Sequence, residues 1–312
     1  MGEPLFATAS RVRAWVLIEQ PGPWGREPLV ESRLDPALGR ALHERATAIG
    51  VRVLLIRRHG RALPGPRHAF LVHTGRQARW LEELRQEDPG ELLGLDWTRL
   101  RAGEPPGYGA PVSGPLYLAC TNGRHDQCCA TWGRPLAQTL VGVVGDRVWE
   151  CSHIGGDRFA GNLVCLPEGI YYGRLGPAET PRVVALHERG RLDLEHYRGR
   201  CCYPPVVQAA EHFLRGEQDL TGLDDVVAEW RQASPGGAVA VRFATEAGGR
   251  WLVRLQVAPA DPERPLTCQA TWWSRPPAYH LVDLARLSQD SAWSQVGKSP
   301  ERGSNSTSPC DW

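Results

Sequence analysis

Apolar residues near the start of the chain alternate between the spacing of strands and the spacing of helices. Strands are predicted in the segments RVRAWVLIEQ, VRVLLIRR and HAFLVHTG, and a helix is predicted in LGRALHERATAIG. The segment ARWLEELRQ also has helical spacing and predicts a second helix. This order predicts a small α/β domain over residues 1–110, which ends in the Pro- and Gly-rich linker RAGEPPGYGAPVSGP.

The same order of elements recurs after the linker. LYLACT predicts a strand, CATWGRPLAQTLVG a helix and VWECSH a strand, followed by a strand pair in NLVCLP and GIYYGRL and a helix in TPRVVALHERG. Residues 111–205 are therefore interpreted as a second α/β domain with the fold of the first.

A third and smaller unit follows over residues 206–288. A helix in VVQAAEHFLRG leads through DDVVAEWRQ to predicted strands in AVAVRFAT, WLVRLQVAP and TCQATWWS, so this unit is expected to be α+β. Residues 289–312 are polar, Ser-rich and aperiodic, and we expect them to form a disordered tail. The fold class is thus predicted as α/β (α+β).

Charge and hydropathy narrow the range of partners and of locations. The net charge is +1, and the arginines are interleaved with acidic residues, so no basic surface for nucleic acid is predicted. No apolar run is long enough to span a bilayer, and the first residues do not have the pattern of a signal peptide. We therefore expect a cytoplasmic protein without a membrane partner.

Nine cysteines are many for a chain expected in a reducing compartment, which favours metal binding or redox chemistry. In LACTNGRHDQCCA, Cys120 ends a predicted strand, and Cys128 and Cys129 begin a helix, where a thiol pKa is lowered. The spacing is too long for a zinc knuckle and suits a loop around one side of a two-iron cluster. Cys165 lies in a core strand and is interpreted as a small buried apolar residue.

The segment WECSHIGGDRF offers partners for these cysteines. Strand alternation places Cys151 and His153 on one face, and Gly155-Gly156 would let the backbone pass close to a bulky inorganic group. Asp157 follows His153 by four residues, a separation that allows both side chains to reach one centre. A histidine in place of a cysteine raises the potential of an iron-sulfur cluster.

Four segments together carry a family resemblance: LACTNGRHDQCCA, SHIGGDRFAGN, LPEGIYYGRL and YRGRCCYPP. Over roughly residues 1–205 the chain resembles the sucrase/ferredoxin-like family, a branch of the thioredoxin-like 2Fe-2S ferredoxins. The resemblance implies a thioredoxin-like domain without the Cys-x-x-Cys motif that holds a 2Fe-2S cluster. Together with the repeated order of elements, this predicts two thioredoxin-like domains in tandem, the first degenerate and the second holding the cluster. The resemblance further implies that Cys120 and Cys129 bind the cluster from the first loop and His153 from the second.

The chain departs from the family pattern at the fourth ligand. Fungal-type members have a second histidine in an H-x-G-G-H arrangement, and this chain has Asp157 at that position. Either the Asp157 carboxylate or the Cys151 thiolate would complete the site. A labile or lost cluster is the third alternative.

The leading hypothesis is a cytosolic electron-transfer protein that receives and passes electrons through a 2Fe-2S cluster with mixed Cys/His ligation. Its partner would be a reductase or an electron acceptor, and no substrate chemistry of its own is predicted. One alternative is a thiol-based redox protein that uses Cys128-Cys129 or Cys201-Cys202. Another is a zinc-binding interaction module built on Cys120, Cys129 and His153.

Overall fold

Two β-sheets organise the parts of the chain described by the computed structural model, which are residues 3–60, 65–267 and 270–288. The large sheet contains β1 (Ala14–Glu19), β2 (Val51–Arg57), β3 (Arg67–Thr74), β4 (Arg79–Gln86), β5 (Ala110–Pro111), β6 (Leu116–Cys120), β7 (Val148–Cys151), β8 (Leu163–Leu166), β9 (Ile170–Tyr172) and β10 (Tyr197–Arg200). The small sheet contains β11 (Val226–Ala233), β12 (Ala238–Thr245), β13 (Arg250–Pro259) and β14 (Pro277–Leu287). The α-helices are α1 (Pro28–Glu31), α2 (Pro36–Ile49), α3 (Trp97–Ala102), α4 (Gln127–Val144), α5 (Thr180–Glu188) and α6 (Pro205–Gln218).

The large sheet is built from two halves with the same topology, in the order β10-β9-β8-β6-β7-β2-β1-β3-β4-β5. In the first half β1 is parallel to β2 and antiparallel to β3, and β3 is antiparallel to β4. In the second half β6, β7, β8 and β9 repeat these pairings. The halves join where β2 runs antiparallel to β7, at the pairs Ile56 with Cys151 and Arg57 with Glu150.

Strand alternation divides the side chains of this sheet between two faces. Trp15 and Phe70 from the first half and Trp149 and Tyr171 from the second lie on the same face and pack into one shared core. Alternation of period two therefore buries one face of both halves together. Cys120, Cys129 and Cys151 belong to this shared core.

The opposite face of each half is covered by its own helices. Residues of α2 and α3, among them Leu42 and Trp97, cover the first half, and residues of α4 and α5, among them Leu140 and Val183, cover the second. Cys165 is fully buried in the core of the second half, as the sequence predicts. The predicted mixed α/β class is thus confirmed, with helices outside and a common core between the halves.

The helix predicted in ARWLEELRQ is wrong, because this segment forms β4. β4 pairs with β3 over eight residues, from Thr74 opposite Arg79 to Arg67 opposite Gln86. Glu82 is buried there and accepts hydrogen bonds from the backbone N–H groups of Gly107 and Tyr108 at 3.0 and 3.2 Å. Tertiary pairing thus overrides a local spacing that fits a helix.

The small sheet is an antiparallel meander with α6 packed on one face. Val207 and Leu214 of α6 share a core with Phe243 and Val253 of the sheet. The strand predicted in TCQATWWS is wrong over its described residues, where only Ser274 forms an isolated bridge, with Arg264. The predicted disordered tail, residues 289–312, lies outside the described residues, and no helix among those described is long and apolar enough to cross a membrane.

Candidate metal centre

The loop between β6 and α4 places two cysteines at one end of the sheet. Cys120 is the last residue of β6, and Asp126 caps α4 by accepting a hydrogen bond from the backbone N–H of Cys128 at 2.8 Å. Cys129 is the third residue of the helix, and its side chain is fully buried in the shared core. Its thiol therefore lies near the positive end of the helix dipole.

A glycine brings the helix close enough for these cysteines to meet. A Cβ atom added to Gly133 would lie 1.9 Å from the carbonyl oxygen of Cys120, a separation that no larger residue tolerates. Gly133 follows Cys129 by one helical turn, so α4 crosses the end of β6 at the level of the cysteines. Replacement of Gly133 would push the two thiols apart.

The second loop begins where β7 meets the first half of the sheet. The Ser152 N–H donates to the Leu55 carbonyl at 2.8 Å, and the Ser152 hydroxyl accepts from the Leu55 N–H at 3.1 Å. Arg52 then donates to the carbonyl oxygen of His153 at 2.9 Å. The first half of the molecule thus positions the backbone that presents His153.

Two thiols and one imidazole converge at this point. The ligand atoms of Cys120, Cys129 and His153 all lie within 4.8 Å of one another. Nδ1 of His153 is 3.7 Å from Sγ of Cys129. Both cysteines are buried and His153 is half-buried, so the group lies just below the surface.

The two thiols form a strongly coupled pair. A hydrogen bond from the Cys129 thiol holds the pKa of Cys120 well below its usual range, against the effect of burial and with a further contribution from His153. The same hydrogen bond raises the pKa of Cys129, together with burial. The hydrogen bond therefore favours the thiolate form of Cys120, which is the form that binds metals.

Cys151 and Asp157, the two predicted fourth ligands, do not join this group. Cys151 pairs with Cys120 across the parallel strands β6 and β7, and burial raises the pKa of its thiol well above the usual value. The pKa of Asp157 is raised by burial and by a hydrogen bond with the carboxyl group of Asp126. The Asp157 carboxyl group is thus directed at the cap of α4.

Gly155 and Gly156 both have positive φ angles. The groups that pass close to these two glycines are side chains of this protein. A Cβ atom on Gly155 would lie 2.4 Å from the Ser10 hydroxyl, and one on Gly156 would lie 2.2 Å from the Arg198 guanidinium. These glycines let the loop turn tightly over Arg198 and the N-terminal segment. The sequence predicts that these glycines let the backbone pass close to an inorganic group, but the groups that lie close to them in the structure are the Ser10 and Arg198 side chains.

Arg198 is a buried cation beneath the site that sequence reasoning missed. Its guanidinium donates to the Asn162 side chain at 2.8 Å, to the Gly155 carbonyl at 3.1 Å and to the Thr8 hydroxyl at 3.0 Å, all neutral acceptors. Desolvation lowers the pKa of Arg198 to about 10, which leaves it charged at neutral pH. In the sequence, Arg198 is the first arginine of YRGRCCYPP, one of the segments that carry the family resemblance. Its place in that segment was the signal that could have pointed to it.

His125 is a second residue whose position the sequence did not indicate. Its ring stacks on that of His153, with centroids 3.8 Å apart and planes inclined by 21°. Nδ1 of His125 lies 3.4 Å from the carbonyl oxygen of Arg26. The structure thus places His125 directly against a candidate ligand.

The pair Cys201 and Cys202, which lies between the shared core and the core of the small sheet, is poorly suited to thiol chemistry. Cys201 and Cys202 are fully buried, and burial raises the pKa of Cys201 to about 12. A protonated thiol without access to solvent is a weak nucleophile. These observations count against the alternative in which Cys201 and Cys202 form a redox switch.

A second group with metal-binding side chains lies away from this site, at Asp193, Glu195 and His196. Arg182 already forms ion pairs with Asp193 at 2.7 Å and with Glu195 at 3.0 Å. Asp193 also accepts a hydrogen bond from the backbone N–H of His196. This group is accounted for as an ion-pair network.

Comparison with known proteins gives one match. No curated protein and no solved structure matches the chain. A family model, described as Sucrase/ferredoxin-like, matches residues 5–199, which is more than half of the chain. The matched range includes Cys120, Cys129 and His153, together with the buried Arg198. The chain therefore belongs to the sucrase/ferredoxin-like family.

Proposed function

We propose that this protein is a 2Fe-2S electron carrier that uses Cys120, Cys129 and His153 as cluster ligands. The observation that carries the proposal is the convergence of two thiols and one imidazole within 4.8 Å, at the mouth of a buried core. Cysteine thiolates together with histidine imidazoles are the ligands of Rieske-type 2Fe-2S centres. The cluster would supply one-electron chemistry, and the protein would set its potential and its accessibility.

Two buried polar groups near the cysteines would stabilise an anionic cluster bound there. The Nδ2 atom of Asn122, two residues after Cys120, is buried and has no hydrogen-bond partner among the described residues. Arg198 places an uncompensated positive charge under the loop that follows His153. Donors and positive charge of this kind stabilise iron-sulfur clusters and raise their potentials.

The fourth ligand is the point at which this chain differs from its family. Cys151 and Asp157 are the ligands that the sequence suggests, but Asp157 is bonded to Asp126, and Cys151 is fully buried. His125 fits the position better, because its ring already lies against that of His153. Its Nδ1 faces the Arg26 carbonyl, as the second nitrogen of a ligating histidine commonly does.

With His125, the ligands divide into a thiol pair, Cys120 and Cys129, and an imidazole pair, His125 and His153. In a Rieske-type centre two histidines bind one iron and two cysteines the other, and the same division would serve here. His125 lies outside the compact three-residue group, which a ligand set spread over two irons permits. We therefore favour His125 as the fourth ligand.

The wider fold and the surface of the site support the same function. We propose that each half of the large sheet is a thioredoxin-like unit without the Cys-x-x-Cys motif, and that the second unit holds the cluster. Trp132, one turn after Cys129, is 54% exposed, so the helix that carries Cys129 also presents an apolar side chain to solvent. A reductase or acceptor protein docking there would come close to the ligands.

One observation favours a zinc site as the second candidate. The separation of 3.7 Å between Cys129 and His153 is close to that of two ligands on a single tetrahedral ion. A mononuclear site would require no inorganic sulfide and would have no redox activity. The two functions are therefore separable by metal analysis.

The decisive experiment is anaerobic purification followed by a visible spectrum and assays of iron, acid-labile sulfide and zinc. We expect iron and sulfide in equal amounts in the wild type and their loss in Cys120→Ser. Cys165→Ser is the matched control, because Cys165 is an equally buried strand cysteine on the opposite face of the sheet. A colourless wild-type protein that contains zinc would replace the electron-carrier function with the zinc site.

The fourth ligand is identified by pulsed electron paramagnetic resonance of the reduced protein. We expect two strongly coupled imidazole nitrogens in the wild type, and one in His125→Ala. Asp157→Ala and Cys151→Ala should retain both couplings. A single coupled nitrogen in the wild type would exclude His125, and the variant that loses iron would then name the ligand.

A further inference from the structure

A cleft of about 620 Å³ separates the small sheet from the loop that follows His153. Its walls come from the N-terminal segment, from Gly156 and Arg158, from α6 and from the start of β14. The volume lies within the range of pockets that bind small molecules. Gly156 and Arg158 flank Asp157, so an occupant of the cleft would touch the loop of the candidate metal centre.

Aromatic side chains form much of the apolar wall. Phe6, Phe213 and Tyr279 line the cleft, and the rings of Phe6 and Phe213 meet edge to face with centroids 5.2 Å apart. None of the three is fully buried, so each ring has a surface available to an occupant. Walls of this kind bind planar aromatic groups by stacking and edge contacts.

The charged residues of the cleft leave one cation without a full partner. Glu3, the only carboxylate among the described lining residues, binds Arg158 in bidentate fashion at 2.9 and 3.0 Å. Arg264 also lines the cleft, and its Nε lies 3.7 Å from Glu3, which is beyond hydrogen-bond distance. The Arg264 Nε is buried and has no hydrogen-bond partner among the described residues.

We propose that this cleft binds a small aromatic carboxylate. Its ring would lie among Phe6, Phe213 and Tyr279, and its carboxylate would lie against the Arg264 side chain, which is 28% exposed, and neutralise the charge that two arginines sharing Glu3 leave in excess. A carboxylate is the natural counterpart of a guanidinium. This site is distinct from the ligands of the candidate metal centre and does not depend on their occupancy.

The test is isothermal titration calorimetry of the metal-free and the metal-loaded protein with 2-naphthoate as the probe. We expect one binding event per chain, and at least tenfold weaker binding of 2-naphthalenemethanol, which has the same rings without the charge. Arg264→Gln should weaken 2-naphthoate binding about tenfold, equivalent to about 1.4 kcal/mol. Arg275→Gln, on an exposed arginine paired with Glu263 at 3.1 Å, is the matched control and should bind as the wild type does.

A second variant examines the apolar wall independently. Ala278→Phe places a ring in the cleft from β14 and should abolish binding while the far-ultraviolet circular dichroism stays unchanged. Equal affinity for the carboxylate and the alcohol would overturn the proposal, as would unchanged binding in both Arg264→Gln and Ala278→Phe. Absence of binding to the wild type would also overturn it, whether or not the protein carries a cluster.

Discussion

At the scale of single residues, Arg198 shows how the fold supplies charge to the candidate site. The guanidinium is fully buried and is held by neutral acceptors, so its charge is not cancelled by a carboxylate in direct contact. A buried charge in a medium of low polarity acts strongly on neighbouring anions. Arg198 therefore favours a negatively charged centre at Cys120 and Cys129.

For the proposed cluster site, Arg198→Met is expected to lower the reduction potential, because a reduced 2Fe-2S cluster carries one more negative charge than an oxidised one. The substitution should also lower the free energy of unfolding by about 3 kcal/mol, since four acceptors, from Thr8, Gly155 and Asn162, lose their donor. Redox titration and urea unfolding measure the two effects. Arg254→Met, on a half-exposed arginine paired with Asp283, should leave both quantities nearly unchanged.

Glu150 is a single residue that is expected to make the stability of the protein depend on pH. The carboxylate is buried, yet Arg57, Thr121 and His59 together hold its pKa below the usual value against the opposing effect of desolvation. A carboxylate with a lowered folded-state pKa stabilises the protein above its unfolded-state pKa, which is about 4.3. That stabilisation is lost as the pH falls through the folded-state value.

Glu150→Gln is accordingly expected to cost about 2 kcal/mol of unfolding free energy at neutral pH. The difference from the wild type should persist down to about pH 5 and shrink below about pH 4.3, where the carboxylate of the unfolded chain takes up a proton while the folded carboxylate is still charged. Urea unfolding at pH 7, 5, 4 and 3 measures this. A difference that stays constant to pH 3 would show that the charge of Glu150 is not its source.

The candidate site residues were predictable to different degrees. Cys120 and Cys129 follow from a strand end and a helix start, whose positions apolar spacing indicates well. His153 lies two residues beyond the end of β7, so strand alternation does not explain why His153 joins the two thiols while Cys151 does not. The direction of Asp157 depends on the left-handed conformation of Gly156 and on a 3-10 turn, neither of which residue spacing specifies. The stacking of His125 on His153 is a tertiary contact between loops and has no local signal.

At the scale of elements, the contact between α4 and β6 sets the separation of the thiols. Gly133 lies against the Cys120 carbonyl, whereas Gly142 of the same helix has no atom within 4 Å of an added Cβ. Replacement of each glycine by alanine therefore compares the same substitution at a crowded position and at an open position of one helix.

Gly133→Ala is expected to destabilise the protein by about 1–3 kcal/mol through overpacking. For the proposed cluster site, it is also expected to lower the iron content by moving Cys129 away from Cys120. Gly142→Ala should instead stabilise the protein by about 0.5–1 kcal/mol, because alanine favours the helix, and should leave the iron content unchanged. Thermal unfolding and metal analysis of both variants make the comparison. Equal iron content in the two would show that the helix position does not control the site.

Elements were predicted well where the apolar pattern fitted one type of element and poorly where it fitted two. β1 and β2, with apolar residues on both faces, and α2, with its Asp35 cap, appear where the sequence predicts them. β4 was predicted as a helix because Trp80, Leu81 and Leu84 have helical spacing. Its buried Glu82 is satisfied only by a loop more than twenty residues later, which local reasoning does not see.

At the scale of the whole molecule, the shared core couples the two halves of the large sheet. Trp149, Cys151 and Tyr171 of the second half pack against Trp15 and Phe70 of the first. Strand pairing alone joins the halves at two residue pairs, so most of the coupling comes from burial of the common face. A half in isolation would expose this face to water.

Residues 111–205 expressed alone are therefore expected to lack the near-ultraviolet circular dichroism of a packed core and to unfold with a low denaturant slope. Addition of residues 1–110 should restore a cooperative transition, because it covers the exposed face. Urea unfolding of each fragment and of the equimolar mixture is the measurement. A steep two-state transition of the second fragment alone would contradict the coupling.

The common face also has a consequence in time. During synthesis the first half is completed before the second exists, and its inner face, with Trp15 and Phe70, has no counterpart to cover it. At about 5–20 residues per second, the wait for the second half lasts on the order of 5–20 s. Through that interval the nascent chain presents an uncovered apolar sheet surface, so the time between completion of the two halves is the period in which this protein is most prone to aggregate.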